Sequence, residues 1–134
     1  IRDRNIKNYM VVTFDLNNLK MCNDNYGHSS GDAYIIHSAH IIETTFDRFG
    51  KCYRIGGDEF CCLIPDAAEF QIERFIQKMQ QDIAILNNKN IIPTEVGIAC
   101  GYALATPDDA DIEKVRERAD EMMYHNKKVL KGLI

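Results

Sequence analysis

Two acids stand side by side, Asp58 and Glu59, after two glycines in the run Tyr53-Arg54-Ile55-Gly56-Gly57-Asp58-Glu59-Phe60. Adjacent carboxylates repel each other and are tolerated best beside a cation, so the pair is a candidate holder of a divalent metal ion. A solvated acidic turn is the other reading. A third acid, Asp15, ends the apolar run Tyr9-Met10-Val11-Val12-Thr13-Phe14. The C-terminal end of a central strand is where open α/β sheets place ligands. The plainer use of such an aspartate is a helix N-cap or a turn. Lys127 and Lys131 are spaced to share one helix face. On spacing alone they suit a solvated helix C-terminus, where lysine complements the dipole.

The flanking elements must bring these groups together. Two β-rich runs, Lys51 to Ile55 and Phe60 to Ile64, meet at Gly56-Gly57. Gly-Gly favours a tight primed turn, which needs φ > 0, so a hairpin with Asp58 and Glu59 at its tip is expected. The run 9–14 is apolar on both alternating faces and predicts a central strand ending at Asp15. Leu16 to Ser30 is polar, with room for one short helix, and reads chiefly as a functional connection. Ile35, Ala39, Ile42 and Phe46 recur at helical spacing and predict a helix from about Gly31 to Phe46. Asp66, with Glu69 as its capping-box partner, is expected to open a second helix. Its stripe is Ile72, Phe75, Ile76, Met79, Ile83 and Leu86, and Asn87-Asn88 ends it.

Val96 to Leu104 reads as a strand with a large face and a face of only small residues, Gly97, Ala99, Gly101 and Ala103. Such a face lets a helix or a ligand approach closely, and helix packing is the expected use. Thr106-Pro107-Asp108-Asp109 makes a turn and helix start, and the last helix is expected to turn Ile112, Val115, Ala119 and Met122 inward. Strand, helix, hairpin, helix, strand, helix gives an α/β sandwich on a mixed sheet. Where strand order sets the hairpin tip beside the end of the first strand, Asp15 and Asp58 face one pocket. Two carboxylates and a backbone carbonyl, completed by phosphate oxygens, suit Mg²⁺.

The chain has 134 residues, which fits one domain, and 46% of them are apolar, enough for a core. A net charge of −4 argues against nucleic acid or an anionic membrane surface as the main partner. Cys22, Cys52, Cys61, Cys62 and Cys100 form no C-x-x-C pair, and several lie in strand-like runs. An odd count so placed reads as reduced thiols in a cytosolic core. No apolar run approaches membrane-spanning length.

Gly56-Gly57-Asp58-Glu59-Phe60 spells the signature of the diguanylate cyclase (GGDEF) family. A given pentamer arises by composition roughly once in a million positions. The stretch from Asp15 to Asp32 resembles the same family in its spacing of Asp, Lys20, Asn23-Asp24, Gly27-His28 and Gly31-Asp32. Ala119-Asp120, Met123-Tyr124 and Lys127 resemble its final helix.

The resemblance implies a palm-type nucleotidyl cyclase fold, related to the ferredoxin-like βαββαβ plan, with a mixed, mostly antiparallel sheet flanked by helices. It implies condensation of two GTP into cyclic di-GMP with release of two pyrophosphates, dependent on Mg²⁺ or Mn²⁺. Asp15, the Leu16 carbonyl and Asp58 match the metal ligands, and Asp58 is also the candidate base. Lys20 matches the position that steadies transition-state charge. Backbone N–H groups of Asn17 to Lys20 would form an anion nest. Asn23 and Asp32 match the guanine readers, which fits guanine's donors and its O6 acceptor. His28 is a substrate contact or a loop-closing hydrogen bond. Lys127 and Lys131 match phosphate-binding cations. A two-fold product implies two facing copies with one GTP each, hence a homodimer for catalysis. The runner-up reading is a catalytically silent GTP-binding module.

Departures from the family pattern are informative. The usual opening ahead of the first strand is missing, and the chain begins Ile1-Arg2-Asp3-Arg4. A single domain over residues 1–134, cut from a longer sensor-linked protein in the cytoplasm, is the expectation. Asn17 stands where many members carry a second aspartate, and Asn126 where alanine is usual. The family's product-binding Arg-x-x-Asp would place its two charged residues at Asp47 and Gly50, with Arg48 one position out of register. No feedback inhibition through that site is expected.

Overall fold

The structure, a computed structural model, describes residues 8–67 and 70–132. The elements in order are β1 (Met10–Asn17), α1 (Leu19–Tyr26), α2 (His28–Phe46), β2 (Lys51–Arg54), β3 (Glu59–Ile64), α3 (Ile72–Asn88), β4 (Gly97–Leu104) and α4 (Ile112–Leu130). One four-stranded sheet runs β2-β3-β1-β4, and all three pairings are antiparallel. With the helices between them, this is the ferredoxin-like order expected, but the sheet is antiparallel throughout and not mixed, because each helix crossover skips a strand that lies between the two it joins.

β1 is central and fully buried because neither face of it meets water. Even-numbered residues Val12 and Phe14 join Phe60 and Cys62 of β3 in the main core, closed by Tyr34, Ile42 and Phe46 of α2 and Met79 and Ile83 of α3. Odd-numbered residues face α4, where Val11 and Ala103 pack on Val115 and Ala119. The small face of β4 is used for this helix: a Cβ added at Gly101 would overlap the Ala119 carbonyl and the Met123 backbone. α4 also reaches the outer side of β4, where the Cys100 N–H donates to Asn126 Oδ1 and the Tyr102 N–H to Met122 Sδ.

Several boundaries differ from expectation. β1 runs two residues past Asp15, because the main chain of Asp15, Leu16 and Asn17 pairs with Ala99, Ile98 and Gly97. The polar connection is two helices, broken at Gly27, whose φ of 92° is one that glycine adopts cheaply. The second long helix starts at Ile72, capped by Gln71 and not by Asp66, which takes a left-handed φ of 51° in the connection before it. Its proposed capping partner Glu69 lies outside the described residues, as do Ile1 to Arg4. On α4, Met123 and not Met122 faces inward, and Ile112 is exposed. The glycine turn is not a primed one: neither Gly56 nor Gly57 has positive φ. Instead a wider loop closes on the Glu59 carbonyl, which accepts from the Ile55 and Gly56 N–H groups. Arg54 braces it by donating to the carbonyls of Gly56, at 3.1 Å, and Gly57, at 2.9 Å.

Candidate functional site

β1 and β3 run antiparallel with Asp15 opposite Glu59, which brings the hairpin loop to the last residues of the central strand. The Leu16 N–H donates to the Asp58 carbonyl at 2.8 Å and pins the loop there. Asp15 is almost fully buried. One of its oxygens, Oδ2, accepts from Lys127 Nζ of α4 at 2.9 Å, while Oδ1 has no partner. Burial pushes the Asp15 carboxyl above the usual range, the Lys127 bond pulls it back, and the charge of Asp58 pushes it up again. Lys127 is held high, first by its bond to Asp15. The pair is therefore lopsided: one ammonium does not compensate a buried carboxylate crowded by a second acid. Unpaired Oδ1 is the geometric sign of the same deficit.

An open cavity of about 430 Å³ adjoins this point, lined among others by Leu16, Lys20, Asp58, Lys127 and Lys131. Asn18 enters α1 in a left-handed conformation, φ 64°, with no side-chain cap, so the first-turn N–H groups of α1 lack intrahelical partners. Asn18, Leu19, Lys20 and Met21 all line the cavity. Unpartnered helix amides beside three lysines make a setting for an anion. Lys20 itself is exposed and pairs with Asp24 at 2.9 Å.

Among the described residues, no three His, Cys, Asp or Glu side chains group as a metal site. The candidate donor set is smaller: two carboxylates and a main-chain carbonyl. It still fits a hard divalent cation, being all oxygen, with one buried oxygen unpartnered and the other already against a positive charge. Glu59 lies beside Asp15 near Arg116 and Asp120, and burial first, then Asp15, Asp120 and Asp58, raise its carboxyl.

The remaining predicted residues sit apart from the cavity walls. Asn23 lies over Gly31, where an added Cβ would overlap its side chain, and Asp32 is the next residue, exposed in the first turns of α2. His28 opens α2, exposed, with no side-chain hydrogen bond among the described residues. Sequence reasoning missed Tyr34. Its buried hydroxyl donates to the Asn17 carbonyl and accepts from the Gly97 N–H at 3.0 Å, clamping the ends of β1 and β4 beneath the site. A tyrosine among the apolar residues of α2 was the available signal. At the displaced product motif, Arg48 lies over the Phe49 ring at 4.8 Å. Gly50 has no room for any side chain, since a Cβ would overlap the Leu63 carbonyl.

An antiparallel ferredoxin-like sheet with paired acids at one end and a lysine-lined cavity beside them is the setting for the comparisons with known proteins. Residues 2–131 match the family described as "Diguanylate cyclase, GGDEF domain", and the chain belongs to it. It is 31% identical over 123 residues to diguanylate cyclase DgcN of Escherichia coli, covering 90% of this chain and 30% of that protein. It is 28% identical over 121 residues to diguanylate cyclase DgcS of Shewanella oneidensis, covering 87% of this chain and 38% of that one. The chain thus spans well under half the length of these curated relatives. Among solved structures, the GGDEF domain of DgcB from Caulobacter crescentus, in complex with c-di-GMP, superposes with a TM-score of 0.79 at 23% identity, over 90% of this chain and 72% of that one. An EAL/GGDEF domain protein from M. capsulatus gives 0.77 at 25% identity, over 96% and 83%.

Proposed function

We propose that this chain is a diguanylate cyclase domain that condenses two GTP into cyclic di-GMP with release of two pyrophosphates. The observation that carries the reading is the meeting of Asp15 and Asp58, from distant segments, beside the cavity lined by Lys20, Lys127 and Lys131. Family membership and the curated diguanylate cyclases among its relatives support it.

In this reading Asp15, the Leu16 carbonyl and Asp58 hold Mg²⁺ or Mn²⁺. Such an ion, when bound, neutralises the triphosphate and acidifies the attacking 3′-hydroxyl. Asp58 serves better as a ligand than as the base, because a carboxylate engaged with a cation is a poor proton acceptor. The first-turn amides of α1 bind phosphate oxygens, and Lys131 and Lys127 add charge. Lys127 would have to leave Asp15 to do so, and Asp15 would then be free to hold the ion. Lys20, exposed and on the cavity wall, steadies the charge that develops at the α-phosphate once it releases Asp24. Asn23 and Asp32 read guanine and His28 contacts the substrate.

One copy holds one GTP, so turnover needs a second copy facing it. In this reading the domain works in the cytoplasm under a sensor carried by a longer protein, and the relatives it matches are indeed longer than this chain. Incubation with GTP and Mg²⁺ at rising protein concentration is expected to give product faster than linearly, with none from Asp58→Ala. GTP binding without product at any concentration would instead favour a silent regulatory module. The crowded Gly50 argues against product feedback at the usual motif. Titration calorimetry with cyclic di-GMP is expected to show no tight site away from the GTP cavity.

A further inference from the structure

Cys52 of β2 and Cys62 of β3 are direct cross-strand partners. Their sulfurs are 3.4 Å apart. The Ile55 N–H donates to the Glu59 carbonyl, which makes that pair a hydrogen-bonded one. Alternation along an antiparallel ladder then makes 54–60 and 52–62 the non-hydrogen-bonded pairs, whose Cα atoms lie about 4.5 Å apart. That spacing is inside the range of about 4.4–6.8 Å that a disulfide spans. Only the sulfurs have to close, from 3.4 Å to about 2.05 Å.

The other three cysteines differ in kind. Cys22 and Cys100 are buried. Cys61 neighbours Cys62 in sequence but projects to the opposite face, where burial pushes its thiol up to about 11. Cys52 is half-buried on the edge strand, within reach of small solutes. Its hydrogen bond with Cys62 holds its thiol below the ordinary value, against burial and the nearby carboxylates of Asp47 and Glu43. A half-exposed cysteine with a second thiol in contact is the arrangement of a peroxide-reactive and a resolving sulfur.

We propose that Cys52 and Cys62 are a redox modification site, closed to a disulfide by hydroperoxides and reopened by low-molecular-weight thiols. The Cys52 thiolate attacks the peroxide, the O–O bond breaks, and Cys52 sulfenic acid forms with loss of hydroxide, which takes up the Cys62 proton to leave as water. The Cys62 thiolate then attacks the Cys52 sulfur, forms the S–S bond and expels hydroxide, which takes back from solvent the proton that Cys52 gave up and leaves as the second water. Two electrons pass from the sulfurs to the peroxide, so two thiols and one H₂O₂ give one disulfide and two waters. The staple lies two residues before Arg54, which braces the loop ending at Asp58. β2 is a four-residue strand with little buried surface, so a covalent tie there tightens the least anchored part of the sheet. None of this depends on the reaction proposed above.

The test is peptide mapping of the full chain after H₂O₂ treatment and alkylation. The expected product is a peptide linking Cys52 to Cys62, lighter by two hydrogens and reversed by dithiothreitol, with Cys22, Cys61 and Cys100 still alkylated. Cys52→Ser, at a half-exposed site, should abolish the link and leave Cys62 alkylated. In the oxidised protein, exchange of the Ile55 and Gly56 amides should slow. A link through Cys61, sulfinic acid at Cys52 beside a free Cys62, no oxidation at all, or unchanged amide exchange would each overturn the proposal.

Discussion

The two faces of the sheet are built on opposite principles. On the side of α2 and α3, β1 contributes Val12 and Phe14 to an apolar core, with Phe14 and Phe46 rings 5.4 Å apart. The unpaired buried oxygen on that side, Ser38 Oγ, belongs to α2 and not to the strand. On the side of α4, the same strand contributes Thr13, Asp15 and Asn17. Each is buried, and each has a side-chain oxygen with no partner. Unpaired buried oxygens are costly, and natural cores contain few. Three in a row on one face of one strand mark a surface finished by something other than its own side chains. One face secures the fold; the other keeps polar groups ready and is tolerated because the first is well packed.

The sharpest way to break this contrast is to cut the apolar face. Phe14→Ala should cost about 3–5 kcal/mol in denaturant unfolding, since it opens a cavity where nothing can collapse. On the α4 face, Gly101→Val should cost about 1–3 kcal/mol by forcing α4 off β4, read in the same unfolding curve. Metal addition tests the unpaired oxygens. Saturating Mg²⁺ or Mn²⁺, at roughly a hundred times its Kd, should raise the parent's stability by about 2.7 kcal/mol and leave Asp15→Asn unmoved. A parent indifferent to the ion would break the link between Asp15 and a metal.

The smallest effect concerns the far end of α4. Asp109 accepts from Arg118 at 2.5 and 3.0 Å, and that guanidinium also donates to the Leu104 carbonyl. The Arg118 bond first, then the Thr106 N–H, hold the Asp109 carboxyl well below the usual range. A depressed folded value means its contribution is present above the ordinary aspartate pKa and is lost as pH falls through the folded one. Asp109→Asn should therefore lower stability slightly at neutral pH, flatten the acid limb of the stability–pH profile, and meet the parent at the acid end.

Much of the apolar face was legible in the sequence, because apolar periodicity reports burial directly: Ile42, Phe46, Met79 and Ile83 are where the pattern puts them. The polar face was legible only in part. Leu16-Asn17 reads as connection by composition, yet pairs as strand, because β4 supplies partners that no local window contains. Met123 replaces Met122 inside because Gly101 sets where α4 touches the sheet. The start of α3 was misplaced since a left-handed Asp66 carries the same letter as a capping one. As for the candidate site, the meeting of Asp15 and Asp58 follows from a strand order that only the family resemblance implies. The Lys127–Asp15 pair and the Tyr34 clamp needed tertiary geometry.

The reach of α4 around β4 has a consequence for how these molecules behave in company. An open eight-residue border strand is a template on which another chain can add. Here the outward amides of Cys100 and Tyr102 are already engaged by Asn126 and Met122. The opposite border, β2, is short and carries Lys51 and Arg54 at its ends. Neither rim invites strand-to-strand growth, so crowding copies of this chain together should not seed fibrils.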